Sequence, residues 1–199
     1  MPTRRTTVAT RRTIRSTAPP EGFRYTLDFL TPEEERELAA RIGELPLKEF
    51  EFQGYLAKRR VVYYGWQYSY DSRSLGAAEE IPAFLLPVRE RAAAFAELPA
   101  EKLEQALVAE YSPGTPIGWH RDRPMFGDVV GISLLSPCVL RFRRRTADGE
   151  AWERWSAAAE PRSAYLLRGP SRSEWEHSIP PVDTLRYSIT FRSFAPSSE

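Results

Sequence analysis

The chain has 199 residues and a mass of 22.8 kDa, which suffices for one domain with a full hydrophobic core. Hydrophobic residues make up 42%, which argues against extensive disorder, and the apolar runs are too short to span a membrane. The single cysteine, Cys138, excludes an internal disulfide framework, and the formal net charge of +1 excludes a general polycation.

The N-terminal stretch differs in charge from the rest of the chain. Residues 1–20 contain no acidic residue and five arginines: Arg4, Arg5, Arg11, Arg12 and Arg15. The stretch lacks the apolar core of a secretory signal, which favours a basic disordered tail able to tether nucleic acid weakly. We expect this tail to cover residues 1–21 and a folded domain to cover residues 22–199.

The first predicted elements of the domain are a strand and a helix. Phe23–Leu30 predicts a short strand that runs into a turn. Thr31 is a candidate helix N-cap, because Pro32 suits the first helical position and Glu34 completes a capping box. The helix is expected to run to about Leu45, with three apolar side chains on one face: Leu38, Ile42 and Leu45.

An aromatic segment follows, from Phe50 to Tyr70. Its strand-like pattern is broken at Gly54 and Gly65, which predicts one or two hairpins. Residues 71–80 are expected to form a looser linker. A second helix is predicted within residues 82–98.

From Leu103 onward the pattern changes to short strands separated by turn residues. The predicted strands are Leu103–Tyr111, Val129–Leu135, Cys138–Arg145, Trp152–Ala157, Ala164–Arg168 and Arg186–Phe194. Helices that precede many short strands indicate an α+β domain whose second half is an all-β double sheet.

Both histidines of the chain could form one ligand set together with a carboxylate. His120 and Asp122 are two residues apart, so on an extended backbone their side chains point the same way. His177 follows later in the chain. Two histidines and one carboxylate are the ligand set of the facial triad in non-heme Fe(II) oxygenases. Each residue alone is more typical of an ordinary surface or core position.

The last predicted strand turns two arginines to one face. Its even positions are polar and its odd positions are apolar: Arg186, Ser188, Thr190 and Arg192 against Tyr187, Ile189 and Phe191. Arginines that point inward need an anionic partner, and a guanidinium can grip a carboxylate through two hydrogen bonds. The pattern predicts a dicarboxylate ligand, with a surface charge stripe as the alternative.

Taken together, the stretch from Tyr111 to Arg192 resembles the AlkB family of Fe(II)/2-oxoglutarate-dependent dioxygenases. The matching segments are Tyr111-Ser112-Pro113-Gly114, Gly118-Trp119-His120-Arg121-Asp122, Ser171-Arg172, Trp175-Glu176-His177-Ser178-Ile179 and Arg186–Arg192. The resemblance implies a double-stranded β-helix (jelly roll) core over about residues 101–195. N-terminal helices and the aromatic hairpin would pack on that core.

The resemblance also implies roles for six residues. His120, Asp122 and His177 would bind Fe(II); dioxygen and 2-oxoglutarate would be cosubstrates. Arg186 would take the distal carboxylate of 2-oxoglutarate with Tyr111 beside it, and Arg192 would lie near the metal. Two departures from the family pattern, Ala109 and Ser188 in place of asparagines, affect contacts to the cosubstrate.

By the same resemblance, the expected activity is oxidative demethylation of N-alkylated bases in DNA or RNA with release of formaldehyde. Tyr64 and Trp66, which share a parity with Tyr68 and Tyr70, could stack on an extruded base. Arg121, Arg143 and Arg145 could hold phosphates. The alternatives are that the aromatic residues belong to the core and that the arginines face water.

Two other functions stay open from the sequence. The same chemistry could act on a protein or small molecule, which the near-neutral charge favours slightly. A non-catalytic nucleic-acid-binding module would predict a broken ligand set, and all three candidate ligands are present. We expect a cytoplasmic, monomeric protein without membrane association.

Overall fold

The computed structural model describes residues 13–52, 55–69 and 74–196. The helices are α1 (Pro32–Gly43), α2 (Leu86–Phe95) and α3 (Pro170–Ser173), with 3-10 turns at Ala83–Leu85 and Ala100–Lys102. The strands are β1 (Thr13–Arg15), β2 (Phe23–Thr26), β3 (Lys48–Phe52), β4 (Tyr55–Tyr64), β5 (Trp66–Ser69), β6 (Ser74–Ala77), β7 (Gln105–Tyr111), β8 (Ile117–His120), β9 (Phe126–Leu134), β10 (Cys138–Arg145), β11 (Trp152–Ala159), β12 (Ala164–Leu167), β13 (Glu176–Ile179) and β14 (Arg186–Phe194). In these ranges no helix is long and apolar enough to cross a membrane.

Two sheets form the body of the domain. The seven-stranded sheet has the order β2-β12-β9-β14-β7-β4-β3, and the five-stranded sheet has the order β1-β11-β10-β13-β8. Side chains from both sheets share one apolar layer, so the sheets face each other. The predicted double-stranded β-helix core is confirmed, with α1 and α2 on the outside of the larger sheet.

Alternation along β7 shows how one strand serves two apolar layers. Leu107, Ala109 and Tyr111 point into the space between the sheets. Ala106 and Val108 point to the opposite side, where α1 and α2 pack. Because successive side chains of a strand face opposite ways, a strand covered on both faces must be apolar at almost every position.

Helix α1 begins as predicted and ends earlier. The Thr31 side chain accepts a hydrogen bond from the Glu34 N–H and the Glu34 carboxylate accepts one from the Thr31 N–H, which completes the capping box. The helix ends at Gly43 rather than at about Leu45. Pro46 accounts for the difference, because the residue before a proline avoids helical backbone angles.

One predicted strand boundary and one predicted shared face were wrong for a backbone reason, whereas the predicted break at Gly65 is confirmed. The first strand stops at Thr26 rather than Leu30, because Asp28 adopts the left-handed region with φ 49°. Gly65, with φ 74°, separates β4 from β5. The aromatic segment therefore forms two hairpins, β3–β4 and β5–β6, and the predicted common face of Tyr64 and Trp66 is wrong.

Four short strands were missing from the prediction. β8 and β13 have four residues each, and each carries one of the two histidines. β6 lies within the predicted linker, whose residues 71–73 are outside the described ranges. β1 lies within the predicted disordered tail and pairs in parallel with β11, so the prediction of disorder is wrong for Thr13–Arg15; residues 1–12 are outside the described ranges.

The α1 cap is joined to α2 by an ion pair that depends on pH. Hydrogen bonds from the Arg91 guanidinium and, to a smaller extent, from the Thr31 N–H lower the pKa of the Glu34 carboxyl from 4.5 to about 2. A lowered pKa in the folded protein means that this stabilisation is complete above pH 4.5 and is lost as the pH falls toward about 2.

We predict that Glu34→Gln lowers the melting temperature at pH 7 by roughly 2 °C, because glutamine keeps the capping geometry and loses the charge. Melting is followed by circular dichroism between pH 7 and pH 3, and the difference from wild type should shrink below pH 4.5. Glu37→Gln, on the exposed side of α1, is the matched control and should melt like wild type. A difference that stays constant with pH would contradict the ion-pair explanation.

Candidate functional site

The pairing of β8 with β13 brings the two histidines together. His120 lies directly opposite His177 in the antiparallel ladder, and their ring centroids are 4.2 Å apart. Asp122 follows just after β8, and its Oδ2 lies 3.7 Å from Nε2 of His177. All three predicted ligand side chains therefore meet at the inner face of the five-stranded sheet.

The polar atoms of these side chains fit a divalent ion. Nδ1 of His120 lies 2.9 Å from the carbonyl oxygen of Gly118, and donation there would leave Nε2 free to bind a metal. Nδ1 of His177 is buried without a hydrogen-bond partner. Two atoms that each bind an ion at about 2.1 Å can be at most about 4.2 Å apart, a limit that the His177–Asp122 separation satisfies.

The donor atoms of the three side chains do not converge on one point. Among the described residues, no three His, Cys, Asp or Glu side chains are grouped with complete metal-ligand geometry.

Burial and neighbouring charges set the protonation states at this position. Burial by itself raises the pKa of Asp122, but Arg192 and the two histidines outweigh it and lower the value to about 2. Burial, together with the neighbouring His120, lowers the pKa of His177 to about 3. An ionised aspartate and a neutral histidine are the forms that bind metal ions.

Arg192 holds Asp122 through a hydrogen-bonded chain. Its Nε and Nη2 lie 3.1 Å and 3.0 Å from Oδ1 of Asp122. Its Nη1 donates to Oε1 of Gln105, the residue opposite it on β7, and Nε2 of Gln105 donates to the carbonyl of Trp66 at 2.6 Å. Gln105 is 1% exposed, and the sequence analysis missed it. A polar residue next to the apolar run from Ala106 to Ala109 was the available signal.

Arg186 is a buried cation with an unused donor. The side chain is 1% exposed, and its Nε donates to the hydroxyl of Ser133 at 3.2 Å. Tyr111 lies opposite on β7, with its ring centroid 4.9 Å from the guanidinium carbon. Nη1 is buried and has no hydrogen-bond partner. A buried donor without a partner is rare in a folded protein, and an anionic ligand at Nη1 would satisfy it.

A pocket of about 480 Å³ that opens to solvent joins the three predicted iron ligands with Tyr111 and Arg192, and Arg186 is not among the residues that line it. The residues that line it are Arg59, Leu107, Tyr111, Ile117, His120, Asp122, Val129, Leu140, Tyr165, Leu167, His177, Ile179, Ser188, Thr190 and Arg192. The predicted inward face of β14 is thus correct for Ser188, Thr190 and Arg192. Tyr165 was missed, although it has the same parity as Leu167 on a predicted strand.

The predicted base-stacking pair does not form. Tyr64 is 3% exposed and belongs to the apolar layer under the helices, a position that excludes contact with a base. Trp66 is partly exposed and packs edge-on against Phe194, with ring centroids 5.8 Å apart. Tyr70 lies outside the described residues.

The predicted phosphate-binding arginines lie outside the pocket. Arg121 is exposed and donates to the carbonyl of Ser173 at 3.3 Å. Arg143 and Arg145 point to the outer face of the five-stranded sheet, because Phe142, the residue before Arg143, faces inward and side chains alternate along β10. Arg143 forms an ion pair of 2.6 Å with Glu176.

Comparisons with known proteins agree with this arrangement. The 2OG-Fe(II) oxygenase superfamily matches residues 22–192. The "Alkylated DNA repair protein ALKBH8 homolog" of Arabidopsis thaliana is 31% identical over 192 residues, covering 83% of this chain and 53% of that protein. The "tRNA (carboxymethyluridine(34)-5-O)-methyltransferase ALKBH8" of Mus musculus is 27% identical, covering 87% of this chain and 26% of that protein. The chain thus spans about half the length of the plant relative.

Solved structures support the fold. "The structure of OsALKBH1" superposes with a TM-score of 0.68 at 18% identity, over 89% of this chain and 99% of that chain. At this identity the likeness concerns the architecture, and the chemistry has to be argued from the site residues.

Tyr165 occupies its place in the pocket because Gly131, opposite it on β9, has no side chain. A Cβ at Gly131 would lie 2.2 Å from the Tyr165 ring. We predict that Gly131→Ala lowers the free energy of unfolding by roughly 1–3 kcal/mol, measured by urea denaturation. Gly43→Ala, where the new Cβ would have only an ordinary contact at 3.8 Å, should not destabilise the protein. Equal stability of Gly131→Ala and wild type would show that the ring can turn away.

Proposed function

This chain belongs to the 2OG-Fe(II) oxygenase superfamily, and on that premise we propose that it is a dioxygenase whose iron is held by His120, Asp122 and His177. Membership implies Fe(II) as the metal, with 2-oxoglutarate and dioxygen as cosubstrates. The observation that carries the proposal is the cross-strand pair His120–His177, with the Asp122 carboxylate 3.7 Å from the second ring.

The donor set suits this ion. Two imidazoles and one carboxylate leave coordination positions open, as the facial triad requires. The bound iron would supply the oxidising chemistry that couples decarboxylation of 2-oxoglutarate to oxidation of a C–H bond. Arg192 would keep the Asp122 carboxylate oriented, because two of its nitrogens contact the same oxygen.

The cosubstrate would be held by Arg186. Its unpartnered Nη1 and its position beside Tyr111 suit the distal carboxylate of 2-oxoglutarate. Ser133 would orient the guanidinium by accepting from Nε on the other side. Burial of Arg186, which is 1% exposed, would strengthen these charge-assisted hydrogen bonds.

We propose N-alkylated bases in DNA or RNA as substrates. Two relatives with aligned sequences are named for alkylated-DNA repair and for tRNA, which supports a nucleic acid. Hydroxylation of an N-methyl carbon gives a hemiaminal that releases formaldehyde and the unmethylated nitrogen. The methyltransferase activity in the name of the mouse relative is not inferred for this chain, which aligns with 26% of that protein.

The test of function is a formaldehyde-release panel over methylated single-stranded DNA, double-stranded DNA and RNA, with Fe(II) and 2-oxoglutarate. We expect release from at least one nucleic acid, and a loss of at least about 100-fold in Asp122→Ala, because one of three iron ligands is gone. Asp183→Ala removes an exposed carboxylate and should act like wild type.

Two results of this panel would contradict the proposal. Succinate formation without formaldehyde from any nucleic acid would direct the same chemistry to a protein or small molecule. Failure of the wild-type protein to bind Fe(II) under anaerobic titration would contradict the dioxygenase itself.

A second prediction concerns the cosubstrate. Arg186→Gln should raise the 2-oxoglutarate concentration for half-maximal turnover by roughly 10- to 100-fold, because a charge-assisted hydrogen bond to the carboxylate is lost. Iron affinity should stay the same, since Arg186 does not contact the three ligands. The matched control is Arg36→Gln on α1, where the arginine pairs with Glu33 at the surface. An unchanged 2-oxoglutarate requirement in Arg186→Gln would remove this residue from the cosubstrate site.

A further inference from the structure

The outer face of the five-stranded sheet is strongly cationic. Side chains there alternate with the inward-facing Leu140 and Phe142 of β10 and with His177 of β13. Among the described residues, the outward positions of β1, β10, β11 and β13 hold one glutamate, Glu176, and five arginines: Arg15, Arg141, Arg143, Arg145 and Arg154. We call this surface the arginine face.

Two tryptophans order the guanidinium groups of this face. The Arg143 guanidinium carbon lies 4.4 Å from the Trp119 ring and 4.3 Å from the Trp152 ring, so it is held between them. Arg145 lies 4.0 Å from the Trp152 ring. Guanidinium planes stacked on indole rings are fixed in orientation, while their in-plane N–H groups stay available to an anion.

Charge on the arginine face exceeds what its own acid can balance. Arg143 lies directly opposite Arg154 in the β10–β11 ladder, and like charges at such positions are destabilising. Glu176 pairs with Arg143 and is the acid at these outward positions. Arg141 and Arg154 lie 5.2 Å and 5.6 Å from the Trp119 ring, which adds two more cations to the same cluster.

We propose that the arginine face binds the phosphate backbone of a nucleic acid, outside the catalytic pocket. Residues two apart on a strand are about 6.8 Å apart, so Arg141, Arg143 and Arg145 present a regular row of donors. Such a row suits a polymer of phosphates, and guanidinium groups bind phosphate through paired hydrogen bonds. This proposal rests on the proposed function, because it supplies the surface for the nucleic acid whose base would enter the pocket.

The position of β8 connects the two surfaces. It is an edge strand of the five-stranded sheet, with Trp119 on the outer face and His120 on the inner face. The arginine face and the face of the sheet that lines the pocket therefore meet at the β8 edge, two strands from β10. At the opposite edge lies β1, which follows residues 1–12, a sequence with four arginines and no acid.

The experiment compares Arg145→Gln/Arg154→Gln with a control on the other side of the molecule. Binding of unmodified single-stranded RNA and DNA of about 16 nucleotides is measured by fluorescence anisotropy from about 50 to about 200 mM salt. The double variant should lose about tenfold in affinity, and its log–log salt slope should be smaller by about 1.4, which corresponds to two lost contacts. The single variant Arg145→Glu, at an exposed position, should also weaken binding.

The control, Arg36→Gln/Arg41→Gln on α1, removes the same charge from the helical side, where Arg41 also lies over an aromatic ring. It should bind like wild type. Equal losses of affinity in both double variants would mean that net charge alone explains the effect, which would overturn the proposal. Unchanged binding by the arginine-face variants would overturn it as well. Binding to vesicles with anionic lipid but not to oligonucleotides would assign the face to a membrane surface and overturn it too.

Failure of this proposal can be separated from failure of the proposed function. If the wild-type protein releases formaldehyde and the arginine-face variants still bind oligonucleotides like the wild type, the proposed function stands and the proposed binding surface is wrong. Oligonucleotide binding that depends on the arginine face, without formaldehyde release from any methylated nucleic acid, would keep the surface and remove the demethylation.

Discussion

The antiparallel pairing of β8 with β13 is the contact on which the candidate site depends. These strands have four residues each, and their register sets His120 against His177. A slip of one residue would turn His177 to the outer face, because side chains alternate along a strand. The register is supported from the other side, where β10 pairs with β13 and the buried Phe142 lies opposite His177.

The same alternation gives the five-stranded sheet two separate uses. Its inner face carries the histidines and shares an apolar layer with the larger sheet, whereas its outer face carries the arginine–tryptophan cluster. The two surfaces are one sheet apart, so substitutions on the arginine face can change charge without entering the pocket. A β-sheet with both faces in use therefore offers chemistry on one side and a binding surface on the other.

Burial of two arginines of β14 has different consequences for the stability of the fold. Arg186 is almost fully buried and keeps one donor without a partner, and an unpaired buried charge costs several kcal/mol. Arg192 avoids that cost because Asp122 and Gln105 accept its hydrogen bonds. Arg192 therefore has its hydrogen-bond partners within the protein, whereas in the proposed function the partner of Arg186 is a bound ligand.

Local patterns in the sequence determined the capping box of α1, the α+β class with a double sheet, and the division of β14 into a polar and an apolar face. Each of these depends on residues a few positions apart, so the chain itself carries the information. His120 and Asp122 are also close in sequence, whereas His177 was proposed to join them because of its chemistry and the family resemblance. Only the tertiary structure placed β8 opposite β13, because four-residue strands have too little periodicity to be recognised and their partners are distant in sequence. It also revealed Gln105 and Ser133 as partners of the two arginines and buried Tyr64 under the helices, since these contacts arise from strand pairing and from the turn at Gly65.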